Sequence, residues 1–331
     1  MSFKICVIGC GYMAFNGHGP AYKKYAMLHP DTELAACCDI DESTAKAFKE
    51  EFGFLRHYTD MELMLDSERP HAVCLIVPVK LTFPLTLKIL GKGYPLLLEK
   101  PPGMNRAETL EMIQASKRLN IPNQVAFNRR YIPLVKKLKD LLEQQSGSNE
   151  TMNIHYEMLR VGRKDSDFSS TAIHGIDVAK FLAGSKYKAV RFHYQEMEHV
   201  GINVTNIFMD CDFESGAIAR LSFCPVSGIL CERVEVNTYQ HTYHLSLPIR
   251  SSVDLPGKLV HMENGIVVSE HAGIDLSSCL DEFVLSGFYN ENEAFFEDIR
   301  NGRIPAGDIE SGLQSVEIAD CIRNRVKEYK P

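Results

Sequence analysis

Phe3-Lys4-Ile5-Cys6-Val7-Ile8-Gly9-Cys10-Gly11-Tyr12-Met13-Ala14 is the stretch that decides how this chain reads. Phe3–Ile8 is a short apolar run closed by glycine, the pattern of a strand covered on both faces. Gly9 and Gly11 let the backbone turn sharply and approach an anion without a Cβ in the way. The helical turn that follows offers unpaired N–H groups and the positive end of a dipole. Ala14 stands where the dinucleotide fingerprint has its third glycine, a replacement that fingerprint tolerates. Two glycines alone would serve equally well in a plain tight turn. Their place at the end of the first strand favours a bound pyrophosphate.

Outward from this turn, apolar runs and helical segments alternate. Leu34–Asp39, Ala72–Val77, Pro95–Glu99 and Asn123–Phe127 read as further buried strands. Between them lie helical segments. Asp41–Phe52 is closed by Gly53, Asp60–Leu65 opens on a capping aspartate, and Phe83–Gly93 has helical spacing. Asn105 with Glu108 forms a cap ahead of a helix reaching about Leu119. Gly17, Gly19 and Pro20 are expected to break the first helix. The alternation up to Phe127 predicts a doubly wound parallel sheet.

After Asn128 the character changes. A polar helix, Pro133–Gln145, leads to a turn or linker at Ser146-Gly147-Ser148-Asn149. Alternating segments follow: Met152–Val161, Ala189–Met197, Val204–Phe213, Ala217–Phe223, Arg233–Tyr239, Lys258–Met262 and Gly265–Val268. Glu214-Ser215-Gly216 and Glu263-Asn264-Gly265 favour antiparallel hairpins. Helices are expected at Thr171–Leu182, Glu291–Asn301 and Ile309–Glu328. The fold class is therefore α/β plus α+β. Residues 1–127 form the dinucleotide-binding domain and 128–331 an α+β domain with an open, largely antiparallel sheet. The terminal helices from about 291 onward are expected to pack back on the first domain.

The 331 residues suffice for two domains, and 45% hydrophobic with 24% charged is ordinary globular composition. A formal charge of -7 argues against a general nucleic-acid binder. No run approaches the roughly 20 apolar residues of a membrane helix, so no membrane partner is expected. The ten cysteines include no Cys-x-x-Cys pair, and most lie in apolar runs. They read as reduced thiols in a cytoplasmic protein. His241 and His244 would face opposite sides of a strand, and the other histidines lack ligand spacing, so no metal is expected.

Asp39 ends the second strand, where a carboxylate accepts the hydroxyls of an adenosine ribose. Its other reading, a helix cap, is one that Asp41 also fills. No arginine follows Asp39 to meet a 2′-phosphate, which favours NAD over NADP. Lys100 follows Pro95–Glu99 at the edge where ligands bind in such sheets. There an ammonium lowers the pKa of a substrate hydroxyl or holds an alkoxide. His174 and Asp177 share one face of a predicted helix. An imidazole there suits proton transfer, and the carboxylate suits sugar hydroxyls or orientation of the site.

Taken in order, these motifs resemble the Gfo/Idh/MocA family of NAD(P)-dependent oxidoreductases. The residues that carry the resemblance are Gly9 to Ala14, Cys38-Asp39, Glu99-Lys100-Pro101, Phe127-Asn128-Arg129-Arg130-Tyr131 and His174-Gly175-Ile176-Asp177. Asn301-Gly302-Arg303, with Asp308 to Ala319, also fits. The resemblance implies a Rossmann domain followed by a sheet that mediates homodimers or homotetramers. It implies hydride transfer between NAD(H) and a sugar or cyclitol, with Lys100 and His174 catalytic. Gly9, Gly11, Tyr12, Met13, Asp39, Val77, Pro78, Thr82, Glu99, Lys100 and Asn128 would then hold the cofactor. Asp177, Ser170, Tyr131 and Arg163 would hold the substrate. Two departures are visible. Ser170 and Ala172 stand where the family often has an aspartate and a glycine, and Val79-Lys80-Leu81-Thr82 follow Pro78 in place of an Asn and a His. Two other functions belong to relatives: hydrolysis or elimination through transient sugar oxidation, and non-catalytic NAD-binding regulation.

Overall fold

A computed structural model describes residues 2–145, 152–277 and 279–331. The linker expected at Ser146–Asn149 lies outside the described residues. The chain divides into two compact units, residues 1–128 with 288–316, and residues 129–287 with 317–331.

The first unit is built on six parallel strands: β1 (Phe3–Ile8), β2 (Thr32–Cys38), β3 (Arg56–Tyr58), β4 (Ala72–Leu75), β5 (Leu96–Glu99) and β6 (Asn123–Ala126). Their order is β3-β2-β1-β4-β5-β6, the doubly wound arrangement. β1 pairs with both β2 and β4, so the direction of winding reverses between β1 and β4. Ile5, Cys6 and Val7 are wholly buried, as are Val73, Cys74 and Leu75. That explains the bare apolar runs, since both faces of these strands are covered. β3 is only three residues long and half exposed, too short for its alternation to show in the sequence.

The crossover helices are α1 (Gly19–Leu28), α2 (Glu42–Phe52), α3 (Met61–Glu68), α4 (Val79–Gly91) and α5 (Arg106–Leu119). Asp41 caps α2 by accepting from Thr44 N–H, and Asp60 caps α3 by accepting from Glu62 and Leu63 N–H. Asn105 accepts from Glu108 N–H at the start of α5.

The first helix is not broken at Gly17, Gly19 and Pro20, contrary to the sequence expectation. A π-turn over Ala14–His18 runs directly into α1, with Gly19 N–H donating to Ala14 O. The wide turn takes up the proline, which has no N–H to give. The glycines are there for close approach. A Cβ on Gly17 would lie 2.8 Å from the Phe288 ring, and one on Gly19 2.5 Å from the Phe52 ring. The helix Phe288–Arg300 belongs to this unit and buries Phe295 and Phe296. Phe296 lies 4.9 Å from Tyr25, ring centre to ring centre.

Among the described residues the second unit holds nine strands: β7 (Asn153–Leu159), β8 (Tyr187–Glu196), β9 (Thr205–Phe213), β10 (Ile218–Cys224), β11 (Cys231–Thr238), β12 (His241–Ser246), β13 (Lys258–Glu263), β14 (Ile266–Ala272) and β15 (Glu328–Tyr329). The order is β14-β13-β12-β11-β7-β10-β9-β8-β15. Only β7 with β10 is parallel; the remaining pairs are antiparallel. The expected hairpins form at Glu214–Gly216 and Glu263–Gly265. At the latter, Asn264 (φ 50°) and Gly265 (φ 81°) give the twist a tight antiparallel turn needs.

Alternation along each strand sends one set of side chains to the core. On β9, Ile207, Met209, Cys211 and Phe213 are buried while Phe208 faces out. The covering helices are α6 (Pro133–Glu143) and α7 (Ser169–Ala183). α7 lies on β7 and β10. Gly175 makes that approach possible: a Cβ there would sit 2.5 Å from the Tyr156 ring and 2.6 Å from Phe223. The helix Ile309–Arg323 crosses the division between the units, and the chain ends as the edge strand β15. The second unit also has short helices at Gly273–Ser277 and Glu282–Leu285, too brief for a helical period to register.

Candidate functional site

In the first unit, the residues expected to hold a cofactor gather at the carboxyl ends of neighbouring strands. Gly9 and Gly11 follow β1, Asp39 follows β2, Val77 and Pro78 follow β4, Glu99 and Lys100 end β5, and Asn128 follows β6. In open α/β sheets this edge, at the reversal of winding, is where ligands bind.

Gly9 has φ +90°, and a Cβ on it would lie 2.1 Å from the Ile76 carbonyl oxygen. No other residue fits this turn without moving β4. A Cβ on Gly11 would meet nothing within 4 Å, so the backbone there faces open space beside the first helical turn. Tyr12 and Met13, in that turn, are exposed. A bare backbone, open space and a helix N-terminus are the features a pyrophosphate requires. Thr82, on the first turn of α4, is buried.

Asp39 is anchored on the glycine turn. Cys10 N–H donates to its Oδ2 at 2.8 Å and Asp41 N–H to its Oδ1 at 3.1 Å. Because Asp41 caps α2, Asp39 is not the cap. Each carboxylate oxygen keeps further acceptor capacity beyond these backbone bonds.

Glu99 is buried. Its Oε2 accepts from Lys100 N–H at 3.0 Å, and its Oε1 lies 3.1 Å from His18 Nε2. His18, wholly buried in the π-turn, faces the Asn292 amide through Nδ1 at 3.1 Å. Burial pushes the Glu99 carboxyl up, but the His18 hydrogen bond and charge, then Lys100, pull it below the usual glutamate range. His18 and Asn292 are 274 positions apart, and no local signal marked either of them.

In the second unit, His174 and Asp177 both lie on α7 and both are buried. Asp177 is engaged by an arginine. Arg130 grips both of its oxygens, with Nε 2.6 Å from Oδ2. His174 Nε2 lies 3.2 Å from Arg129 Nη1. Arg129 in turn pairs with Glu232 on β11, its Nη2 2.9 Å from Oε1. Glu232 also accepts from Tyr156 OH at 2.6 Å and from the Arg160 guanidinium. Burial alone would raise the Glu232 pKa, but the attraction of Arg129 and Arg160 outweighs it and holds the group at about 2.

The other expected substrate residues have local surroundings of their own. Ser170 Oγ donates to the Asp167 carbonyl at 3.4 Å, within its own helix start. Arg163 is exposed and pairs with Asp165 at 2.6 Å. Tyr131 closes a short 3₁₀ turn, Asn128–Tyr131. Sequence reasoning assigned no role to Glu232, Arg160 or Arg129. Glu232 stands beside Cys231 and Arg233 in a strand with no pattern to mark it.

His241 does meet a second histidine, which sequence spacing did not anticipate. Its Nδ1 lies 3.0 Å from His261 Nε2 across β12 and β13. Among the described residues no group of three or more His, Cys, Asp or Glu is placed to hold a metal ion. The ten cysteines are free. No described helix is long and apolar enough to cross a membrane.

A glycine turn at the first strand and a carboxylate at the second, on a doubly wound parallel sheet, are the features of a dinucleotide-binding Rossmann domain. Residues 3–127 match the family model described as "Oxidoreductase family, NAD-binding Rossmann fold". Over these residues the chain is similar to the Gfo/Idh/MocA oxidoreductases. It is 25% identical over 231 residues to an inositol 2-dehydrogenase of Corynebacterium glutamicum, spanning 66% of this chain and 65% of that relative's length. It is 28% identical over 137 residues to a D-glucoside 3-dehydrogenase of Escherichia coli, covering 41% of this chain and 38% of the other. A Gfo/Idh/MocA family oxidoreductase from Vibrio cholerae has the same fold, with TM-score 0.81, 20% identity and 98% coverage of both chains.

Proposed function

We propose that this protein transfers a hydride between NAD(H) and a hydroxyl or keto carbon of a sugar, sugar derivative or cyclitol. One observation carries the reading: Gly9, Gly11, Asp39 and Lys100 converge on the carboxyl ends of β1, β2 and β5. The dehydrogenase names of the relatives support the substrate class.

When bound, NAD+ supplies the hydride acceptor. Asp39 accepts the adenosine ribose hydroxyls, and the open backbone at Gly11 with its helix N-terminus faces the pyrophosphate. Tyr12, Met13, Val77, Pro78, Thr82, Glu99 and Asn128 line the cofactor's place. The Lys100 ammonium stabilises the negative charge that grows on the substrate oxygen as its proton leaves. His174 takes that proton in oxidation and returns it in reduction. Asp39 would repel a 2′-phosphate, which favours NAD(H) over NADP(H). Tyr131 and Arg163 remain candidates for contact with substrate, as do Ser170 and Asp177. Ten free thiols suit a reducing compartment such as the cytoplasm. A second copy of the chain is proposed to cover the outward face of the nine-stranded sheet, where Phe208 and Ile218 are exposed.

The test is a panel of cyclitols, aldoses and glucosides, beginning with myo-inositol, scored for NADH formation. Turnover of a panel member, lowered about 10²-fold or more in Lys100→Ala, supports the reading. Tight NADH binding with no redox turnover across the panel overturns it.

A further inference from the structure

Ser170 occupies the position where the family's carboxylate would orient the histidine, yet its hydroxyl bonds the Asp167 carbonyl. Asp177, one helical turn on, is held by Arg130. The group that does reach His174 is Arg129, with Nη1 3.2 Å from the imidazole Nε2.

A guanidinium has only donors and keeps its proton throughout the ordinary pH range. Nε2 at the other end of that contact must therefore carry the lone pair. A neutral imidazole with a bare Nε2 has its proton on Nδ1. The contact thus selects one of the two tautomers.

Arg129 is itself fixed from behind. Its Nη2 and Nε both reach Glu232, at 2.9 and 3.4 Å. Glu232 is wholly buried and is held by two further groups. Tyr156 OH donates to it at 2.6 Å, and the Arg160 guanidinium donates to it as well. Arg160 is anchored in turn on the carbonyls of Leu159 (2.9 Å) and Cys231 (3.3 Å). The register of β7 with β11 places Glu232 opposite Met158, in the middle of the sheet. The chain of contacts from sheet to histidine is therefore rigid at its root. With two arginines to one glutamate, these three side chains carry one net positive charge, and Arg129 brings it against the imidazole.

We propose that Arg129, held by Glu232, is the positioning residue of His174 and fixes its proton on Nδ1. The inference rests on the proposed role of His174 in proton exchange, and it names what replaces the carboxylate missing at Ser170. It also sets the order of events at the ring. Nε2 accepts a proton only when a substrate hydroxyl displaces or shares the Arg129 contact.

The experiment uses the full chain with ¹⁵N-labelled histidine, the His174 signals being identified by their loss in His174→Gln. Proton-coupled nitrogen spectra at neutral pH read the tautomer without any substrate. The expected result is a protonated Nδ1 and a bare Nε2 in the parent protein. In Arg129→Met the Nε2–H tautomer should become populated, and Arg129→Lys should restore the parent signature in part. A parent spectrum with the proton on Nε2 overturns the proposal. So does an unchanged spectrum in a folded Arg129→Met protein. Should that variant not fold, the parent spectrum and Arg129→Lys still decide the matter. Because this readout needs no turnover, a panel of sugars that all fail would sink the proposed reaction and leave the tautomer result standing.

Discussion

Arg130 and Asp177 lie 47 positions apart and form a two-point ion pair in the second unit, with Nε 2.6 Å from Oδ2. The Asp177 side chain is 1% exposed and that of Arg130 11%. Removing one partner leaves the other charged and buried without this counter-charge. Asp177→Asn should destabilise the protein by about 3–5 kcal/mol, the usual cost of breaking such a pair. A urea titration followed by far-UV circular dichroism measures it. An unchanged midpoint with a raised KM would return Asp177 to the substrate-binding role its sequence position suggested.

Asp39 should decide the cofactor. Its carboxylate is oriented by Cys10 and Asp41 N–H, so a 2′-phosphate would meet a fixed negative charge. NADH should bind more tightly than NADPH, and Asp39→Ser should narrow the difference by weakening NADH and relieving NADPH. Calorimetric titration with both nucleotides tests this. Tighter NADPH binding by the parent protein would refute it.

Lys100→Ala should lower turnover by about 10²-fold or more, because a charge that stabilises the developing alkoxide acts mainly in the transition state. Affinity for NADH should change far less. Near-normal turnover would show the lysine to be structural.

His174→Asn should cut turnover by roughly 10²–10⁴-fold, the range for a general base, and remove the limb of the pH profile near neutrality. Ser170→Ala should cost little, since the hydroxyl is engaged with Asp167. A pH–rate series on both variants decides. If the His174 variant keeps its profile, proton exchange belongs to another group.

Glu232 should set part of the acid stability. Burial raises its pKa, but Arg129 and Arg160 outweigh that, and the folded value is about 2 against an ordinary 4.5. A depressed carboxylate pKa gives stability that is fully present above the unfolded value and is lost as pH falls through the folded one. The loss should therefore run from about pH 4.5 down towards 2. Glu232→Gln should be less stable than the parent at neutral pH, and the gap should narrow across that acid window. Unfolding midpoints measured from pH 7 to pH 3 give the test. A gap that stays constant with pH would mean that the pair contributes through shape alone.

Much of the fold was legible in the sequence because its signals are local. β1 was read with the boundaries it has, since a run buried on both faces needs no distant partner to be recognised. Asp41, Asp60 and Asn105 marked helix starts because a cap acts within three residues of itself. The Asn264-Gly265 turn and the alternation of β9 belong to the same class. The first helix was misjudged because glycine and proline usually stop a helix. Here the Phe288 and Phe52 rings require the glycines, and a π-turn takes up the proline.

The candidate site divides along the same line. Gly9, Gly11, Asp39 and Lys100 were visible because each sits at the end of a strand, and strand ends follow from periodicity. Which groups hold Asp177, His174 and Glu99 was not visible. Their partners are Arg130, Arg129 and His18, 45 to 81 positions away, and Glu232 lies 103 from Arg129. A buried charge must find its counter-charge, but the sequence does not say which one. Residue types and spacings determined the strands, the helix caps and the glycine turn. Only the packed structure decided which carboxylates are held by arginines, because that depends on which strands and helices come to lie side by side.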